Sequence, residues 1–271
     1  MMRVDVDADR WREDLALISQ AAREAGQVAL GYFGQSPEVW WKHEGRSPVS
    51  AADFAANDTL QGMLTAARPG YGWLSEETDD DVARLSRETL FVVDPIDGTR
   101  GFIAGEKAWC VSVAVVHLGQ PVAGVLVAPA LDEEFTAALG TPALKNGEPI
   151  AVSRPSTVNP LKLAVAEDVL KLVQPGHENA VRRVRHVPSL AYRLAMTADG
   201  TIDGTIVKRN SHDWDLAAAD VILERAGGRL VDADGRRLVY NRESVKHGVL
   251  RAGAEHALDK LRMFMPDDPT G

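Results

Sequence analysis

Hydrophobic positions near the start of the chain recur at helical spacing. Trp11, Leu15, Ile18, Ala22, Ala25, Ala29 and Tyr32 share one side of a helix over residues 9–33, and Gly34 stands where it would stop. Residues 36–48 carry Trp40, Trp41 and Lys42 and read as a loop or short hairpin. A second helix is expected over residues 50–67, ended by Arg68-Pro69-Gly70. Residues 71–75 give a short strand into Glu76-Glu77, and residues 78–87 an acidic, exposed loop. The next stretch, FVVDPIDGT at residues 91–99, organises the rest. Phe91, Val92 and Val93 read as the end of a buried strand, Asp94 stands where it runs out, and Pro95 is expected to forbid the ladder from continuing.

Beyond it the pattern turns antiparallel. Residues 109–117 and 122–128 are strands about a turn at Leu118-Gly119-Gln120-Pro121, and residues 134–138 add a third. The Gly-, Pro- and Asn-rich residues 140–155 mark a boundary between subdomains. The division is residues 1–145, an α+β part holding the central stretch, and residues 146–271, an α/β part. In the second part strands at 161–166, 205–208, 229–231 and 248–251 mix with helices at 189–198, 214–226 and 255–264. Such mixing predicts stacked layers rather than a parallel barrel.

Composition narrows the function classes. The chain has 271 residues, enough to bury a full core, with 45% hydrophobic and 25% charged residues. A net charge of −9 and a pI near 5.3 argue against a general nucleic-acid binder, which needs a basic face. One cysteine, Cys110, excludes an intrachain disulfide framework and reads as a small core residue, and a reducing, cytoplasmic location is expected. The N-terminal MMRVDVDADRW lacks the apolar core of a signal peptide, and no apolar run approaches a membrane span.

The chemistry-bearing residues are carboxylates at element ends: Asp53, Glu76, the pair Asp94 and Asp97, and Asp215. Two acids beside the tight turn of Gly98-Thr99, with its outward amides, suit a hard divalent cation next to a phosphate. An Asp-Pro turn followed by an Asp-Gly turn, merely closing a loop, fits the same residues. Ser50 with Asp53 also fits a capping box, and Asp215 in a first helical turn also complements the helix dipole. No GxSxG elbow, Walker loop, GxGxxG or Cys/His cluster competes with the acids.

DPIDGT, preceded by SEE and followed by WDLAAADVILERAGG, resembles the inositol monophosphatase superfamily of metal-dependent phosphatases. The likeness runs from KHEGRSPVSAAD at residues 42–53 to Gly227-Gly228. It implies an α/β (α+β) fold, a layered αβαβα sandwich of the inositol monophosphatase and fructose-1,6-bisphosphatase type. It also implies Mg²⁺, two to three ions, with Mn²⁺ as a substitute and Li⁺ as an inhibitor. By the same motifs Glu76, Asp94, the carbonyl of Ile96, Asp97 and Asp215 would be metal ligands, with Glu77 a nearby acid. Asp53 and Thr99 would activate the attacking water, and the backbone of Gly98 and Thr99 would hold phosphate oxygens. Catalysis then needs positioning and cations rather than a covalent nucleophile.

The substrate is less legible. LSEE, the stretch from Gly98 to Ala130, and GRRLVYNRES near the C-terminus are similar to the 3′(2′),5′-bisphosphate nucleotidase branch. Lys208 stands where inositol monophosphatases usually place a Glu, and with Arg209 and Arg100 it would suit a second phosphate. Ordinary surface charge explains these cations equally well. Arg100-Gly101 departs from the Lys-Glu often seen in nucleotidases. His212 and Trp214 flank Asp215, and a helix-start role for His212 is favoured over substrate contact. The first expectation is therefore hydrolysis of 3′-phosphoadenosine 5′-phosphate. An inositol, sugar or histidinol phosphate is the alternative, and a regulatory binding protein with vestigial catalysis is the second alternative. A small-molecule ester, no nucleic acid, no membrane span and a homodimer are the expected partners.

Overall fold

The strand around Phe91 is buried on both faces, and that double burial sets the layering. The computed structural model describes residues 8–35, 39–42, 47–154, 160–170, 173–174, 176–185 and 187–264. Residues 1–7, 36–38, 43–46 and 155–159, on which parts of the terminal, hairpin and boundary expectations fall, lie outside that set. Helices α1 (Ala8–Tyr32) and α2 (Ala51–Ala67) flank a hairpin of β1 (Val39–Lys42) and β2 (Ser47–Ser50). Strands β3 (Gly72–Ser75), β4 (Thr89–Asp97), β5 (Cys110–His117), β6 (Gln120–Ala128), β7 (Glu133–Ala138), β8 (Leu144–Lys145) and β9 (Glu148–Pro149) pair in that order into one sheet. A short helix, α3 (Thr99–Ile103), follows β4. The second sheet contains β10 (Leu161–Leu163), β11 (Val181–Arg183), β12 (Gly204–Val207), β13 (Arg229–Asp232) and β14 (Leu250–Gly253), in the order β11-β10-β12-β14-β13. Helices α4 (Glu167–Leu170), α5 (Leu190–Ala198), α6 (Asp213–Arg225) and α7 (Glu255–Phe264) complete the described elements.

Side chains alternate across a strand. Phe91 and Val93 therefore pack against Trp11, Ile18, Leu60 and Leu64 of α1 and α2, while Leu90 and Val92 face Leu194, Leu216 and Ile222 of α5 and α6. The same middle helices cover Leu230 and Leu250 of the second sheet. On that sheet's far side Ala257 and Leu261 of α7 meet Leu161, Leu163 and Ile206. The result is the expected five-layer αβαβα order. Helix α6 sits unusually close to β6, because a side chain at Gly124 would come within 2.6 Å of the Ala218 carbonyl oxygen.

Two local expectations are corrected. The central strand does not end at Asp94: β4 runs through Pro95 to Asp97, with the register to β5 shifting between Asp94 and Asp97. A proline is tolerated there because the irregularity removes the demand for its missing N–H. The acidic loop is not wholly exposed, since a 3-10 turn at Val82–Ser86 buries Arg84. Within residues 140–155, β8 and β9 extend the first sheet, and the second sheet begins at β10. No helix of the described residues is long and apolar enough to cross a membrane.

Candidate active site

The end of β4 and the start of α6 bring three carboxylates, Asp94, Asp97 and Asp215, together. Asp94 follows Leu90 and Val92 on the face of β4 covered by α6, and opposite it on β5 is Ser112. The Ser112 hydroxyl donates to the Trp214 carbonyl at 3.2 Å, tying that strand to the first turn of α6. Asp215 lies in the same first turn and accepts from the His212 amide at 2.7 Å. Asp213, one step earlier, is fully buried and accepts from His247 Nε2 at 2.7 Å and the Asn241 amide at 2.8 Å. These contacts hold the start of α6, and thereby Asp215, in place.

Asp97 reaches the start of α5. Its carboxylate accepts from the Ser189 hydroxyl and from the Ala191 amide at 2.8 Å. Ser189 caps that helix, with its oxygen accepting from the Tyr192 amide at 3.0 Å. Gly98 turns the chain in the left-handed region, at φ +96°, and a Cβ there would lie 3.0 Å from Ser189. Only glycine lets α3 begin this close to α5.

One oxygen from each of Asp94, Asp97 and Asp215 lies within 4.8 Å of the others. Asp94 and Asp97 are 1% and 6% exposed. Burial pushes the Asp97 carboxyl up to about 7, with Asp215 adding repulsion while Ser189, Ala191 and Arg193 oppose it. Burial also raises Asp94, helped by the charges of Glu76, Asp97, Asp215 and Glu77. Crowded, desolvated carboxylates are costly unless a cation neutralises them. An all-oxygen donor set of this kind fits a hard divalent ion. Glu76 follows β3, its amide donating to the Val93 carbonyl at 3.2 Å; its charge helps raise Asp94, and it is not one of the group of three.

Asp53 stands beside the acids. The Ser50 amide and hydroxyl donate to its Oδ2 at 2.8 and 2.6 Å, so the capping box is real. Its Oδ1 accepts from the Thr99 hydroxyl at 3.1 Å. That hydroxyl also lies 3.0 Å from the Ile96 carbonyl oxygen. One side chain thus both caps α2 and accepts from Thr99.

The basic residues are divided. Lys208 lines a cavity of about 370 Å³ together with Asp215. Arg209 lines a different cavity, with Asp232 and His247, and Arg100 is exposed on α3. His212 is the N-cap of α6 and stacks on Trp214 at 4.6 Å. Cys110 is buried, and desolvation pushes its thiol well up. Sequence reasoning missed Ser189, which positions Asp97, and Arg193 and Ser211, which share the Lys208 cavity. The one signal for Arg193 was a lone cation within the apolar helix LAYRLAMTA.

Clustered buried carboxylates set between the layers of this sandwich define a metal-dependent phosphatase acting on phosphate monoesters. The model of the inositol monophosphatase family matches residues 11–262, and the chain belongs to that family. It is 34% identical over 247 residues to a Streptomyces griseus protein named glucose-1-phosphate thymidylyltransferase, covering 87% of this chain and 94% of that one. It is 32% identical to the inositol-1-monophosphatase of Mesorhizobium japonicum, covering 86% of this chain and 91% of the relative. It is also 32% identical to the histidinol-phosphatase of Chlorobaculum parvum, covering 86% and 90%. Among solved structures, the extragenic suppressor protein SuhB from Bartonella henselae superimposes with a TM-score of 0.81 at 30% identity, covering 93% of this chain and 97% of that one.

Proposed function

We propose that the protein is a Mg²⁺-dependent phosphomonoesterase that hydrolyses 3′-phosphoadenosine 5′-phosphate to 5′-AMP and phosphate. The observation that carries the hydrolytic reading is the convergence of Asp94, Asp97 and Asp215 within 4.8 Å, with the Thr99–Asp53 pair beside them. Glu76, Asp94, the Ile96 carbonyl, Asp97 and Asp215 would hold the cation. When bound, it neutralises phosphoryl oxygens and makes a nearby water more acidic.

The chain's own residues do the rest. The Thr99 hydroxyl gives its proton toward Asp53 Oδ1, which turns a lone pair outward to accept a proton from the attacking water. The water oxygen forms its bond to phosphorus in line with the ester. The P–O bond to the leaving group breaks, its electron pair stays on the leaving oxygen, and that oxygen takes a proton from solvent water. Ser50 keeps Asp53 fixed while the proton moves. The amides of Gly98 and Thr99 are the proposed donors to the phosphate oxygens.

The bisphosphate reading is supported by Lys208, which shares a cavity with Asp215. A cation there suits an anionic leaving group better than a neutral polyol. The second reading, an inositol phosphate, is favoured by the name of the Mesorhizobium relative. The purified protein with Mg²⁺ separates them when offered 3′-phosphoadenosine 5′-phosphate, inositol 1-phosphate, fructose 1,6-bisphosphate and histidinol phosphate. The highest kcat/KM is expected for the nucleotide, and a clear preference for the inositol ester overturns that assignment.

A further inference from the structure

The connection between β13 and β14 straps the start of α6. The Asp213 amide donates to the Val245 carbonyl at 2.9 Å, and the His247 amide donates to the Ser211 carbonyl at 2.8 Å. Tyr240 is 1% exposed, and its amide donates to the Gly119 carbonyl at 3.0 Å, which seats the strap on the turn between β5 and β6. Asn241 follows in the left-handed region, at φ +56°, a conformation that asparagine accepts more readily than most side chains. Its amide donates to Asp213 Oδ2 at 2.8 Å, two residues before Asp215. Its side chain serves a different element. Asn241 Oδ1 accepts from Arg84 Nη1 at 2.7 Å, and Asn241 Nδ2 donates to the Arg84 carbonyl at 3.3 Å.

Arg84 belongs to the connection from β3 to β4, and Glu76 opens that connection. Arg84 is 3% exposed and also holds Asp80 at 2.6 and 2.9 Å, so the segment behind Glu76 folds around it. The Trp73 indole fixes the near end of the segment by donating to the Thr78 hydroxyl at 3.1 Å. The charges of Glu76 and Asp215 both bear on Asp94, so the two elements joined at Asn241 carry carboxylates of one pocket. Asn241 bonds to one element through its backbone and to the other through its side chain. We infer that Asn241 is a positioning residue for the cation: it fixes the separation of Glu76 and Asp215, and with it the metal affinity, although it is no part of the carboxylate cluster. Partners that hold ligands from behind change metal affinity strongly when removed. This role rests on the Mg²⁺ reading above and goes beyond it, because it makes the ligand geometry depend on a loop outside the cluster.

The test measures Mg²⁺ affinity by isothermal titration calorimetry on the full chain without substrate, alongside Tm. Asn241→Gly keeps the left-handed backbone and the amide that donates to Asp213, and removes only the side chain that Arg84 holds. Its Kd for Mg²⁺ is expected to rise about tenfold. Asn241→Asp restores the acceptor for Arg84 and is expected to recover most of that loss. Arg84→Lys decides the matter if Asn241→Gly does not fold. A single ammonium keeps the pair with Asp80 but lacks the fork that also reaches Asn241, so the Kd is expected to rise there by about three- to tenfold. A wild type that binds no Mg²⁺ overturns the cofactor reading and the positioning role together. A wild type that binds it, with variants lowered in Tm but unchanged in Kd, overturns the positioning role alone.

Discussion

Asp53 is held from both ends: Ser50 donates to one carboxylate oxygen at 2.8 and 2.6 Å, and Thr99 donates to the other at 3.1 Å. The first pair of bonds is helix capping, and the second reaches into the acidic pocket. A residue that reads as structural at one oxygen is thus available for proton transfer at the other.

Thr99→Val keeps the shape and removes the hydroxyl. We expect kcat to fall about 10²–10⁴-fold with little change in KM. Since the Ser50 cap survives, the Tm should stay near that of the wild type. A Thr99→Val variant retaining wild-type kcat would remove Thr99 from the proton path.

The buried acids should make the fold respond to its cation. Saturating Mg²⁺ at about 100 times its Kd should stabilise the protein by about 2.7 kcal/mol, and a chelator should reverse the gain. Asp97→Asn should abolish turnover and shrink this stabilisation, because one ligand charge is lost. Calorimetry with and without Mg²⁺ measures both, and an undiminished shift in the variant would contradict the ligand role.

Asp220 predicts a pH effect away from the site. Burial pushes its carboxyl up to about 7, although the Tyr240 hydroxyl donates to it at 2.8 Å. The unfolded chain releases that proton near 3.8. Between those values the folded state holds more protons, so this group's contribution to stability falls as pH rises from about 4 to 7. Asp220→Asn cannot ionise, so its Tm relative to wild type should climb between pH 5 and pH 8. A relative Tm that falls over that range instead would reverse the assignment.

Arg84 tests the packing of the acidic segment. Its side chain donates to Asp80 at 2.6 and 2.9 Å, to Asn241 Oδ1 at 2.7 Å and to the Arg242 carbonyl at 3.0 Å. Arg84→Ala should destabilise at the lower end of about 3–5 kcal/mol, since Asp80 is partly solvated. Denaturant unfolding monitors the change, and a loss below about 0.5 kcal/mol would mean the segment docks without it.

The helices and most strands were legible because their apolar spacing matched the two-sided burial they receive. The acids were legible because DPIDGT and the distant WDLAAAD carry them. What escaped depends on contacts made across the chain. Arg84 reads as solvated in an acidic run until Asn241 arrives, 157 positions later. Pro95 signals a strand end until the register shift beside Cys110 accommodates it. Arg193 and Ser211 are 18 positions apart in unremarkable surroundings, and only the docking of α5 against β12 brings them to one cavity. A strand as short as β11 offers too few positions for any periodicity to emerge.

The near-contact at Gly124 leaves α6 no slack against the sheet beneath it. A methyl group added there would push the helix outward as a rigid rod, and Asp215 at its leading end would travel with it. Damage far from the phosphate would thus be felt as a misaligned metal clamp, and an otherwise intact enzyme would fall silent.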